Sequence, residues 1–98
     1  MIRRVTLPDA MAYHITEFEA TPNPNAVKCW LDRPISERPQ SFLNAQMAAA
    51  HPIAAALFAE AGVNNVLFNG DWVTVNKPAD ADWSTVKAKV KRVLGSMD

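Results

Sequence analysis

An α+β two-layer sandwich, with an antiparallel sheet of about four strands and two helices on one of its faces, is the fold class these 98 residues predict. Three observations carry it. Two short β-rich runs near the start flank a proline-locked loop, a second pair brackets an Asn-Gly step, and a segment of helical period follows each pair. The order β, β, an optional short β, α, β, β, α inserts helices between hairpins, which packs both helices on one side of an antiparallel sheet.

Residues 1–12 lack periodicity and hold Pro8, so they are expected to form a flexible arm ahead of a single domain over 13–98. Tyr13 to Glu19 is rich in aromatic and β-branched side chains, with carboxylates at alternate positions near its end, the pattern of a strand with one wet face. Thr21-Pro22-Asn23-Pro24-Asn25 stops it, because two prolines fix φ and remove backbone donors while the Asn side chains bond nearby backbone groups. Ala26 to Leu31 resumes a strand, with Val27, Cys29 and Leu31 on one face and Lys28 and Trp30 on the other.

Asp32 to Gln40, with Pro34 and Pro39, reads as a polar connection, followed by Ser41 to Leu43 as a short edge strand and an Asn44-capped turn through Ala50. Pro52 opens a helix whose stripe is Ile53, Ala54, Leu57, Phe58 and Ala61, and Gly62 closes it. In the next hairpin the turn is Asn69-Gly70 or Gly70-Asp71. Either register puts Val66, Phe68, Val73 and Val75 on one face. Asp80 or Asp82 caps a final helix in which Trp83, Val86, Val90, Val93, Leu94 and Met97 follow helical spacing. A core Trp83 predicts a loss of about 3 to 5 kcal/mol on Trp83→Ala.

Ten Lys plus Arg against ten Asp plus Glu give zero formal charge, so there is no concentrated basic footprint to favour nucleic acid. The apolar stretches Met47 to Ala50 and Ile53 to Ala59 fall far short of the ~20 residues of a membrane helix. One cysteine excludes a disulfide within these residues, and Arg3-Arg4 has no apolar run after it, so a cytoplasmic protein is expected.

Glu19 to Lys28, His51-Pro52-Ile53-Ala54-Ala55-Ala56-Leu57-Phe58, Gly62-Val63, Asp71-Trp72-Val73-Thr74-Val75 and Asp82-Trp83 occur in an order that resembles the N-terminal domain of Nfu/NifU-type iron-sulfur cluster scaffold proteins. The resemblance spans roughly residues 13 to 95 and implies the same α+β fold and an association with iron-sulfur cluster assembly. In that family this domain is usually joined to a cluster-binding domain with a Cys-x-x-Cys motif. No such motif occurs in this sequence, so the expectation is a stand-alone domain. Cluster ligation takes four thiolates or a Cys and His mixture, and one Cys per chain does not supply four even in a homodimer, so no cofactor is expected here.

Cys29 lies on an apolar face and reads as a small core hydrophobe, while His14 and His51 lack metal-ligand spacing. Lys87, Lys89, Lys91 and Arg92 interleave with the final helix's apolar stripe as its solvated flank. No Ser-His-Asp order or Gly-rich phosphate loop is visible, so an enzyme is not expected. Two features stand out. The stiff loop offers Thr21, Asn23 and Asn25 for hydrogen bonding, though a plain structural turn accounts for it as well. The sheet face away from the helices carries Lys28, Trp30, Leu67 and Trp72, apolar enough to meet another chain unless the Asp32 to Gln40 connection or the N-terminal arm folds over it.

The expectation is therefore a noncatalytic protein-interaction module, a monomer or weak homodimer, whose partners are iron-sulfur assembly factors or recipient apoproteins rather than nucleic acid or membrane. The alternative is a small metal-binding or catalytic protein using Cys29 and His51, or Asp80 and Asp82.

Overall fold

The computed structural model describes residues 13–96. The arm expected over 1–12 and the predicted core contact of Met97 lie outside the described residues. Five strands, β1 (Ile15–Ala20), β2 (Ala26–Leu31), β3 (Ser36–Phe42), β4 (Asn65–Gly70) and β5 (Trp72–Asn76), form one sheet in the order β1-β2-β5-β4-β3. Every neighbouring pair is antiparallel. The helices are α1 (Ala45–Ala48), α2 (Pro52–Ala56), which continues as a π-helical turn over Leu57–Ala61, and α3 (Trp83–Ser96).

Alternation sets the core. Val27, Cys29 and Leu31 of β2, Val66 and Phe68 of β4, and Val73 and Val75 of β5 are buried together with Ala54, Leu57 and Ala61 and with Val86, Val90, Val93 and Leu94 of α3. The helices thus cover one face of the sheet, as predicted. The hairpin turn is Gly70-Asp71, since Asn69 pairs with Trp72 and Gly70 takes φ of 60°. Gly62 ends the π turn at φ 73°, a left-handed conformation that an L side chain adopts only with strain. Asn44 caps α1 by accepting the Met47 N–H at 2.8 Å, and Asp82, not Asp80, caps α3 by accepting the Thr85 N–H at 3.1 Å.

Two expectations are corrected. The segment from Ser36 to Gln40 is not a surface connection but most of β3, so the sheet has five strands and that segment lies in its plane at the far edge. Pro39 fits there because an edge strand leaves half of its backbone groups unpaired, and the register is interrupted between Ser36 and Gln40. Trp83 is half-buried instead of central, since as the first residue of α3 it packs against the margin of the core, one turn before the buried Val86.

Candidate partner-binding surface

The sheet face turned away from the helices is built by cross-strand register. Glu19 of β1 opposes Lys28 of β2, which opposes Thr74 of β5, which opposes Leu67 of β4. In the neighbouring row Glu17 opposes Trp30, and Trp30 opposes Trp72. The Lys28 ammonium reaches over this row, 5.0 Å from the Trp30 ring centroid and 4.5 Å from that of Trp72. Glu19 Oε1 accepts the Trp30 indole N–H at 2.8 Å. Lys28, Trp30, Leu67 and Trp72 are all half-buried, the lysine packed on the two indoles, and each is still open to solvent on one side. A cation over an indole face contributes roughly 0.5 to 1 kcal/mol at an exposed site, and this one serves two rings. The outcome is a flat aromatic platform with a fixed charge at its centre, a surface that loses little side-chain freedom when something is laid on it. Glu19 was not among the residues singled out from the sequence; its opposition to Lys28 depends on the β1–β2 register.

The Thr21 to Asn25 loop stands apart from that platform, at the β1 end of the sheet and against α3. Its polar groups are largely used within the fold. Thr21 Oγ1 accepts the Asn23 N–H at 3.1 Å, Asn23 Oδ1 accepts the Asn25 N–H at 2.9 Å, and Asn25 Oδ1 accepts from the buried Lys77 ammonium at 3.1 Å. The Trp83 indole N–H donates to the Pro24 carbonyl at 2.9 Å. Thr21 and Asn23 therefore brace the loop internally, Asn25 ties it to Lys77 just after β5 and the Pro24 carbonyl ties it to α3, and these residues lie apart from Lys28, Trp30, Leu67 and Trp72.

Among the described residues, those of the alternative reading form no cluster of metal-ligating side chains, and Cys29, His51 and Asp82 have other places in the fold. Cys29 has 0% exposure, and burial pushes its thiol up from 9.0 to about 12, with a smaller opposing pull from the charge of Lys87. His51 precedes α2 without capping it; its ring meets Phe42 and Phe68 edge-on at 5.4 and 5.0 Å, and its Nδ1 is buried without a hydrogen-bond partner among the described residues. That burial holds the imidazole below its ordinary pKa. His14 is an exposed side chain on Asp32 at 3.1 Å. The Asp82 carboxylate is committed to the helix start, where hydrogen bonds from the Ser84 hydroxyl and the Thr85 backbone N–H hold it below the usual carboxylate range. Among the described residues no three His, Cys, Asp or Glu side chains converge as a metal site would require. Among them, too, no helix is long and apolar enough to cross a membrane.

Fold and surface together define a small α+β domain with a helix-covered face and an aromatic, charged open face. A family model described as scaffold protein Nfu/NifU N terminal matches residues 15–97, and the chain belongs to that family. NifU-like protein 5, mitochondrial, of Arabidopsis thaliana is 34% identical over 77 residues, 78% of this chain and 28% of the relative. The human NFU1 iron-sulfur cluster scaffold homolog, mitochondrial, is 34% identical over 80 residues, 80% of this chain and 32% of the relative. The chain thus spans about a third or less of the length of these relatives. Among solved structures, a NifU-like protein from Saccharomyces cerevisiae superposes with a TM-score of 0.74 at 22% identity, covering 87% of this chain and 77% of that one. Protein SAV1430 from Staphylococcus aureus does so with a TM-score of 0.69 at 25% identity, covering 82% and 96%. The relatives' names link the family to iron-sulfur cluster assembly.

Proposed function

We propose that this domain serves iron-sulfur cluster assembly as a noncatalytic protein-interaction module and does not itself ligate the cluster. The observation that carries the reading is the Lys28 ammonium fixed between Trp30 and Trp72 on a sheet face that the helices leave open. Large half-buried aromatics grouped around a cation on an open sheet face are the composition of protein-binding hot spots. The cluster is cargo carried elsewhere in the assembly: one thiol lies within these 98 residues, and it is buried and protonated. The partners this predicts are iron-sulfur assembly factors or recipient apoproteins.

The test is affinity purification of the protein from its own cells, beside Trp30→Ala and Trp72→Ala variants whose circular dichroism matches the parent. Retention of iron-sulfur assembly proteins by the parent and their loss in both variants is the expected result. Equal retention by all three proteins, or retention of no iron-sulfur protein by the parent, overturns the reading.

A further inference from the structure

At the seam between edge strand β1 and helix α3 lies a cleft of about 280 Å³, on the opposite side of the sheet from the indole platform. Phe18 and Val27 of the sheet, Asn23 and Pro24 of the loop, and Trp83 and Lys87 of α3 line it. The Trp83 to Pro24 hydrogen bond fixes loop and helix to each other, so the cleft is formed in advance.

Its chemistry is one-sided. Its lining combines the apolar surfaces of Phe18, Val27 and Trp83 with the polar groups of Thr21, Asn23 and Lys87, and none of its lining residues is acidic. The Lys87 ammonium stands 5.0 Å from the Phe18 ring centroid and 5.9 Å from that of Trp83, and no carboxylate among the described residues pairs with it. Asn23 spends its amide oxygen on the Asn25 N–H, which leaves the amide nitrogen as a donor. A hollow that joins aromatic and aliphatic walls to a cation and a donor selects an anion attached to an apolar body. The volume falls just under the ~300 Å³ at which pockets for drug-sized ligands begin, so it suits a single large side chain.

The neighbouring strand says how that side chain arrives. Among the described residues β1 is an edge strand, and an edge presents unpaired N–H and C=O groups along its outer side. The other edge, β3, is blunted by Pro39, whereas β1 contains no proline. In an extended peptide, adjacent side chains point to opposite faces, so an apolar residue and an acidic neighbour do not enter one small cleft together. A C-terminal residue carries both an apolar side chain and a carboxylate.

We propose that the β1–α3 seam binds the free C-terminus of an extended peptide, paired parallel to β1, with its last, large apolar side chain in the cleft and its terminal carboxylate on Lys87. Strand addition with capture of a terminal carboxylate is an established mode of peptide recognition. The site is separate from the open face and does not rest on the function proposed above.

The test is a nuclear magnetic resonance titration of the intact protein with acetyl-Thr-Ala-Thr-Ala-Phe as the free acid, as the C-terminal amide, and with Phe-Glu placed internally ahead of an amidated end. The expected result is a saturable shift of the Trp83 indole N–H signal by the acid, with binding about tenfold weaker for the amide and the internal sequence, and about tenfold weaker for Lys87→Gln. Lys91→Gln and Trp30→Ala are expected to bind the acid as the parent does. Equal binding of acid and amide, equal binding of the internal sequence, an unaffected Lys87→Gln, shifts centred on Trp30 and Trp72, or no saturable shift each overturns the proposal.

Discussion

The indole N–H of Trp83 donates to the carbonyl of Pro24 at 2.9 Å, joining residues 59 positions apart in the chain. The first turn of α3 is thereby fastened to the loop that leaves β1, and the ammoniums of Lys77 and Lys87 lie 5.4 and 5.9 Å from the same ring. A half-buried tryptophan held this way contributes through one hydrogen bond and partial burial rather than through a filled core. Trp83→Phe keeps most of the apolar contact and gives up the bond, for about 1 kcal/mol. Trp83→Ala loses both, for about 2 kcal/mol, less than the 3 to 5 kcal/mol of a core deletion. Urea unfolding of the two variants checks the difference.

The open face predicts a coupled pair of effects. Lys28 lies over both Trp30 and Trp72, so Lys28→Ala, Trp30→Ala and Trp72→Ala are each expected to cost about 1 kcal/mol and to leave the fold intact, because all three side chains are half-buried and cross-strand pairs are of this size. The energies are not additive. A double-mutant cycle between Lys28 and Trp72, read by urea unfolding, is expected to give a coupling of about 0.5 to 1 kcal/mol that persists in high salt less than a hydrophobic contact would.

Cys29 makes a prediction at high pH. Its folded pKa, raised to about 12 by burial, exceeds its ordinary value of 9.0, so the neutral thiol's contribution to stability is complete below pH 9 and is lost as pH rises toward 12. Parent and Cys29→Ala stabilities, compared by urea unfolding from pH 8 to 11, are expected to converge as pH rises. The same burial predicts that a thiol reagent at pH 8 labels the native protein only as fast as it opens, and labels it at once in denaturant.

What could be read from the sequence divides by range. The β2 and hairpin core faces follow from alternation of side chains along a strand, and Gly62 and Asn44 act locally, so these needed no knowledge of neighbours. Ser36-Glu37-Arg38-Pro39-Gln40 has neither alternation nor β-branched residues, and its strand exists because β4 supplies a partner along one side. The open-face residues were visible as the off-core half of each strand. The Lys28 position between two indoles required β2 to neighbour β5, a pairing between segments more than forty residues apart in sequence. The π turn at Leu57–Ala61 has no signature in the sequence that distinguishes it from the α-helix it extends. Trp83 matched the helical stripe, but as the first residue of α3 it packs at the margin of the core and is only half-buried.

His51 predicts the opposite pH response. Its ring lies edge-on against Phe42 and Phe68, its Nδ1 is buried without a partner among the described residues, and burial favours the uncharged imidazole, holding the folded pKa below the ordinary 6.5. With a depressed folded pKa, the unfolded chain takes up the proton first as pH falls, so stability is complete above pH 6.5 and declines below it, well before the carboxylates titrate. His51→Phe removes both the titration and the unpaired nitrogen while keeping an aromatic ring beside the two phenylalanines. The variant is expected to match or exceed the parent at pH 7.5 and to pull ahead of it between pH 6.5 and 5 in urea unfolding. A constant difference across that range would mean that the imidazole is as well solvated in the folded chain as in the unfolded one.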